Sequence, residues 1–209
     1  MTRAFTEIAF TKGVRERQSE QGSRESYAPL DDETADRGDR LTEAEAQFIR
    51  ARDGFYQATV SESGWPYVQF RGGPVGFLKV LDDKTLAYAD FRGNRQYISH
   101  GNLGSDSRVS IILMDYPNRA RLKIWAQAQQ KTIAGNETLA ASVTEKGYRG
   151  LPERVILLTV EAFDWNCPQH IPQRFTLAEL APDLNVMRNR IRALEEENAE
   201  LKAFLKSSS

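Results

Sequence analysis

Hydrophobic and polar positions change their period three times along this chain. Residues 11–40 carry only Val14, Tyr27 and Leu30 as large apolar side chains, too few to build a core of their own. Residues 1–41 are therefore expected to form an extended polar arm lying over another surface. Thr42, with Glu45 three residues on, forms a capping box ahead of Ala46, Phe48 and Ile49 and predicts a short helix over about 42–52. From Gly54 the period becomes two. GFYQATVSES, the turn Ser63-Gly64 and PYVQFRGG predict one β-hairpin. GPVGFLKVLD, a tip at Asp82-Asp83-Lys84 and TLAYADF predict a second. A helix-like segment at 95–104 leads to the strands RVSIILMDY and ARLKIWAQAQQKT, joined across Pro117-Asn118. A polar helix near 136–146 precedes a last strand, RVILLTVEAFDW. Six or seven strands, mostly linked as hairpins, favour an antiparallel barrel over a parallel α/β sheet.

The third change of period begins at Leu184. Leu184, Met187, Ile191, Leu194, Asn198, Leu201 and Leu205 are separated by alternating steps of three and four, the stripe of a coiled coil with a polar Asn at one a position. In a parallel pair each g residue meets the e residue five positions later on the partner. Those pairs are Asp183 with Arg188, Arg190 with Glu195 and Glu197 with Lys202, all opposite in sign. A parallel homodimer is expected. A basic-zipper DNA binder is not, because the preceding FTLAELAPDL is acidic and contains Pro182 where a continuous basic helix would be required.

Composition narrows the function without naming it. Charged residues make up 27% of the 209, but the formal net charge is -1, so no overall field recruits nucleic acid or an anionic membrane. Any anion site must be local. No stretch approaches the roughly eighteen apolar residues of a membrane span, and MTRAFTEIAF lacks the build of a signal peptide, so a cytoplasmic protein with no membrane partner is expected. One cysteine, Cys167, excludes an intramolecular disulfide and suits an inert packed thiol, and two histidines assemble no metal-ligand cluster from spacing. Redox chemistry would need a borrowed cofactor. One stretch does suggest an anion site. YADFRGNRQYISHGNL ends a strand in a turn loaded with hydrogen-bond donors, more than a chain reversal needs, and then starts a helix.

These stretches together carry a resemblance. VQFRGGPVGFLKVLD, LAYADFRGNRQYISHGNLGSDSRVSIILMDY and ARLKIWAQAQ resemble the flavin-binding split barrel of the pyridoxamine 5'-phosphate oxidase-like superfamily over roughly residues 42–167, and most of all its branch of flavin-nucleotide-binding proteins. The resemblance implies a mainly β fold, a six-stranded antiparallel Greek-key split barrel over 42–175, to which the heptad stripe adds a helical coiled-coil segment at 176–209. It also implies that two subunits pair across a wide barrel face with FMN in the cleft between them. By motif, Arg71 resembles the arginine that reaches the FMN phosphate. Asn94, Arg95 and Gln96 match the family's Ser-Arg-Lys turn, with Gln96 lacking the lysine charge. Arg121 falls where the family has a glutamine approaching the cofactor from the partner strand, and Lys123 is its same-face neighbour. Trp165 is expected near the isoalloxazine edge, with His170 and Arg174 on the substrate side. The spacing of those two departs from the oxidase pattern, so oxidation of pyridoxamine phosphate is not implied. Tyr88 and Phe91 are expected in packing, Asn102 as a cap or turn residue, and His100 on a helix surface. The function implied is an FMN-dependent oxidoreductase acting on an unidentified small substrate. The alternatives are a non-enzymatic carrier or sensor of flavin or haem, and a scaffold that has lost its cofactor.

Overall fold

The computed structural model describes residues 2–32, 34, 37–165 and 169–207. Cys167 lies outside the described residues. Seven strands form one sheet: β1 Gly54–Val60, β2 Pro66–Gly72, β3 Lys79–Val80, β4 Thr85–Phe91, β5 Arg108–Asp115, β6 Ala120–Thr132 and β7 Pro152–Trp165. Their order is β2-β1-β5-β6-β7-β4-β3, and every pairing is antiparallel. This is a split β-barrel of six full strands plus the two-residue β3. The period-two pattern explains which faces turn inward. Phe55 on β1, Ile111 and Leu113 on β5, and Leu122 and Ile124 on β6 alternate with outward residues and pack into one core with Tyr88, Ile156 and Leu158. Truncating one such side chain, as in Leu122→Ala, typically costs about 2–5 kcal/mol. Gln57 also points inward, and its Oε1 accepts a hydrogen bond from the Tyr88 hydroxyl at 2.6 Å. Burial therefore pushes the Tyr88 pKa up.

The outward face of the same strands is unlike an ordinary solvated face. Phe70, Tyr56, Ile112, Lys123 and Asp164 form one continuous cross-strand row from β2 to β7. At its β2 end Val68 is 60% exposed and Phe70 57% exposed, beside the half-exposed Tyr56 and a largely exposed Trp65. At its β7 end α1 (Arg3–Ala9) covers the row. Ala4 and Phe5 are buried against Ala162, and Phe5 stacks on Trp125 with ring centroids 4.6 Å apart.

The N-terminal stretch is where the sequence expectation fails. In place of an extended arm the chain forms α1, α2 (Lys12–Glu20), α3 (Arg24–Tyr27) and a 3-10 turn, Ala28–Asp31. Thr2 and Thr11 cap the first two helices, accepting from the backbone N–H groups of Phe5 and Val14. Arg15 pairs with Asp31 at 2.9 Å, Arg24 also reaches Asp31, and Phe10 meets Tyr27 edge-on. For α1 few apolar residues suffice because β7 of the barrel supplies the other half of the contact, whereas α2 and α3 bury no residue. The remaining helices are α4 (Glu43–Arg50), which carries the expected Thr42/Glu45 capping box, α5 (Ile98–Ser105), α6 (Glu137–Val143) and α7 (Leu177–Ser207). The Thr176 hydroxyl accepts from the Glu179 N–H at 3.2 Å at the start of α7. The helix then runs through Pro182 instead of breaking there. Among the described residues no helix is long and apolar enough to cross a membrane.

Candidate functional site

The donor-rich turn between β4 and α5 lies at the mouth of a cleft. The Asn94 side chain accepts from the Gln96 N–H at 3.1 Å and donates to the Gln96 side chain at 3.2 Å, closing a local turn. Arg95 and Tyr97 take left-handed backbone conformations, φ 62° and 56°. For side chains of this size such geometry costs on the order of 1–2 kcal/mol each, strain of the kind that gathers at functional sites. Helix α5 then begins with no side-chain cap at Tyr97, and its first residues, Ile98, Ser99 and His100, line the cleft. The uncapped N–H groups of that turn carry the positive end of the helix dipole.

Three strands supply the floor of the cleft. Arg71 stands near the end of β2, Asp90 on β4, and Arg154 on β7 directly across from Asp90. One Asp90 oxygen accepts from Arg71 at 2.6 Å and the other from Arg154, so a buried carboxylate holds two guanidinium groups in place. Arg71 Nε is buried without a hydrogen-bond partner. An unpaired buried donor on a charged group costs on the order of 1–3 kcal/mol. Arg154 also lies over the Tyr97 ring at 5.5 Å. Glu153, at the rim, accepts from Arg92 at 2.8 Å and from the Tyr97 hydroxyl at 3.3 Å, and the Arg92 bond lowers its pKa. The Ser99 hydroxyl donates to Gln69 at 2.9 Å. The cleft holds about 210 Å³ and is lined by Arg71, Arg95 and Arg154 against Asp90 and Glu153, a local excess of one positive charge.

Of the sequence-nominated residues, Arg71, Asn94, Arg95 and Gln96 come together here. Within one chain the others do not. Arg121 and Lys123 lie on the outward face of β6, where Lys123 pairs with Asp164 at 3.1 Å and sits over the Phe5 ring at 4.7 Å. Trp165 docks on α4: its Nε1 donates to Glu45 at 2.6 Å and its ring meets Phe48 edge-on at 4.8 Å. His170 is exposed with φ 64°, and Arg174 stacks over Tyr116 at 5.0 Å, against the β5–β6 turn. His100 sits on the exposed side of α5 bonded to Gln130, and Tyr88 is in the core. Phe91 packs against Tyr148. The Asn102 carbonyl accepts from the Asp106 N–H at the end of α5, while its buried side chain donates to Thr59 at 2.9 Å. Asp90 and Arg154 are the site residues that sequence reasoning missed. No local pattern marks them, because only the β4–β7 pairing across more than sixty residues brings them together. Among the described residues no group of three or more His, Cys, Asp or Glu side chains could hold a metal ion.

With the cleft described, comparison with known proteins adds a family. The model described as pyridoxamine 5'-phosphate oxidase matches residues 41–164, more than half of the chain. No curated protein matches. Among solved structures, a putative pyridoxamine 5'-phosphate oxidase from Lactobacillus delbrueckii is 22% identical, with 60% of this chain and 94% of that chain covered at a TM-score of 0.47. An FMN-binding protein from Syntrophomonas wolfei is 10% identical, covering 71% and 97% at 0.46. An F420 reductase is 16% identical, covering 59% and 98% at 0.42. At these levels the likenesses carry no statement about ligand or reaction.

Proposed function

Because the chain belongs to the pyridoxamine 5'-phosphate oxidase family, we propose that it is an FMN-binding flavoprotein whose Arg71–Asp90–Arg154 cleft holds the cofactor's phosphate end. The observation that carries this reading is the orphaned Arg71 Nε beside a turn that collects Asn94, Arg95 and Gln96. A phosphate has the acceptor oxygens these donors lack. Arg95 offers a planar fork, Asn94 and Gln96 offer neutral amides, and the first turn of α5 offers backbone N–H groups. Asp90 holds the two buried guanidinium groups in position before the ligand arrives, while its own negative charge competes with the ligand for them.

A volume of about 210 Å³ falls below the roughly 300–1,000 Å³ of sites that enclose a whole small ligand. A second copy of the chain would complete the site. The outward sheet face, with Val68, Phe70, Tyr56 and Trp65 exposed, is the apolar surface suited to that pairing. Arg121 lies on the same side of the sheet, on the strand next to β5, and would reach the cofactor from the partner subunit. Lys123, paired with Asp164, supports that face, whereas Trp165 is on the core side of the sheet, held by Glu45 of α4. His170 and Arg174 border the substrate side of the shared cleft.

When bound, the flavin supplies the hydride or electron transfer. This chain's residues bind and orient, since the cleft carboxylates Asp90 and Glu153 are both engaged by arginines. The reaction proposed is redox transfer to or from a small substrate of unassigned class. The visible absorbance spectrum of the purified protein, followed by the mass of the released chromophore, tests this directly. FMN in near one-to-one ratio is the expected result. A colourless protein that also fails to take up added FMN overturns the reading.

A further inference from the structure

Helix α7 spans 31 residues and buries none of them. A lone helix with a continuous apolar stripe normally lays that stripe on its own domain. Here Met187, Ile191, Leu201 and Leu205 are each more than half exposed. Own-domain packing is therefore not what the stripe is for. We propose that α7 is one half of a parallel, in-register, two-stranded coiled coil whose other half is α7 of a second copy of this chain.

The charges flanking the stripe select that occupant and its direction. With Leu184, Ile191, Asn198 and Leu205 at a and Met187, Leu194 and Leu201 at d, a parallel pair sets Asp183 against Arg188, Arg190 against Glu195 and Glu197 against Lys202. Two-fold symmetry makes each of these contacts twice. Asn198 then faces its own copy, where the two amides satisfy each other's donors and acceptors. The fully overlapping antiparallel register is poorer. It sets Arg188 against Lys202 twice and Glu195 against its own copy, and its favourable contact, also made twice, is Arg190 with Glu197. It also buries Asn198 opposite Met187, leaving a polar amide against a thioether. Ile191 at a with Leu194 and Leu201 at d favours two strands over three or four. The seam is only about three heptads long, near the lower limit for an independent helix pair. Tethering to barrels that themselves pair would raise the effective concentration of the two helices to the millimolar range. The seam argument stands without that pairing.

Site-directed cross-linking in the full-length protein tests the proposal independently of flavin. In a Cys167→Ser background, Leu201→Cys places a thiol at a d position and Val186→Cys places one on the outer side of the same helix. Under copper–phenanthroline oxidation, Leu201→Cys is expected to link into covalent dimers at least tenfold faster than Val186→Cys. Equal rates, or no link at 201, overturn the seam. Mixing Met187→Cys with Asn198→Cys protein reports the antiparallel register, and a preferred mixed link there overturns the direction. Adding Glu197→Lys to Leu201→Cys should slow linking about tenfold, and adding Lys202→Glu as well should restore it. Restored linking is something a merely misfolded helix would not produce; failure to restore it overturns the charge assignment.

Discussion

Two buried polar clusters in this molecule look alike in composition and differ in how they are satisfied. In the α4 corner, Glu45 is 5% exposed and its oxygens accept from the Thr42 N–H, the Thr42 hydroxyl and Trp165 Nε1. Every donor there has an acceptor, and the cluster locks α4 and the end of β7 together. In the cleft, Asp90 holds Arg71 and Arg154, yet Arg71 Nε stays unpaired and the charge balance remains positive. A closed cluster contributes stability. An open one, held in place but left short of an acceptor, is the feature on which the proposed binding site rests.

The largest expected effect is at the open cluster. Under the proposed function, replacing Arg71 and Arg95 together by Ala would remove two charge-assisted phosphate contacts of about 1.5–3 kcal/mol each. FMN affinity in a fluorescence-quenching titration should fall by at least about a hundredfold by the same arithmetic. Unchanged affinity would remove the phosphate clamp from the proposal. The closed cluster should respond in the opposite way. Glu45→Ala leaves Trp165 Nε1 without its acceptor and breaks the capping box, which should lower the stability measured by urea unfolding by about 2–3 kcal/mol. FMN affinity should stay within about threefold, because the residue touches nothing in the cleft; a large loss of binding would merge the two clusters into one site.

Asp90→Asn sharpens the contrast further, because its two effects should have opposite signs. Removing the carboxylate from between two guanidinium groups should lower stability by about 3 kcal/mol while raising affinity for inorganic phosphate several-fold. A loss of both would mean that Asp90 organises the clamp more than it competes with the ligand. The smallest effect is in the pH dependence of the closed cluster. Burial pushes the Glu45 pKa up, but the hydrogen bonds from Thr42 and Trp165 more than offset it, leaving the pKa below the usual 4.5. A depressed folded pKa means that the unfolded chain binds the proton more readily. The stabilisation is complete above 4.5 and is lost as pH falls through the lowered folded value. Glu45→Gln should flatten that part of a stability–pH curve, and an unaltered curve would assign the acid sensitivity to other groups.

The barrel strands and the capping box at Thr42 were legible because their signals are local. Period-two alternation and a Thr-x-x-Glu box each complete themselves within a few residues. The turn at 94–96 and Arg71 were legible through the resemblance in their order along the chain. Arg154 and Asp90 were not, since neither stands in a local pattern and their pairing is a tertiary event. The helical arm was missed for a related reason. Ala4 and Phe5 look too sparse for a core until Ala162 and Trp125 are seen to receive them.

By itself the sequence determined the mainly β split barrel, the donor-rich turn between β4 and α5, and the heptad stripe of α7, because hydrophobic period and turn chemistry are encoded residue by residue. Only the tertiary structure decided that the arm docks as helices and that Trp165 belongs to the Glu45 corner. It alone showed that Arg71, Asp90 and Arg154, from three different strands, meet in one cleft with a buried donor left over. Such contacts depend on which strands become neighbours, and the order β2-β1-β5-β6-β7-β4-β3 is set by how the whole sheet closes its core.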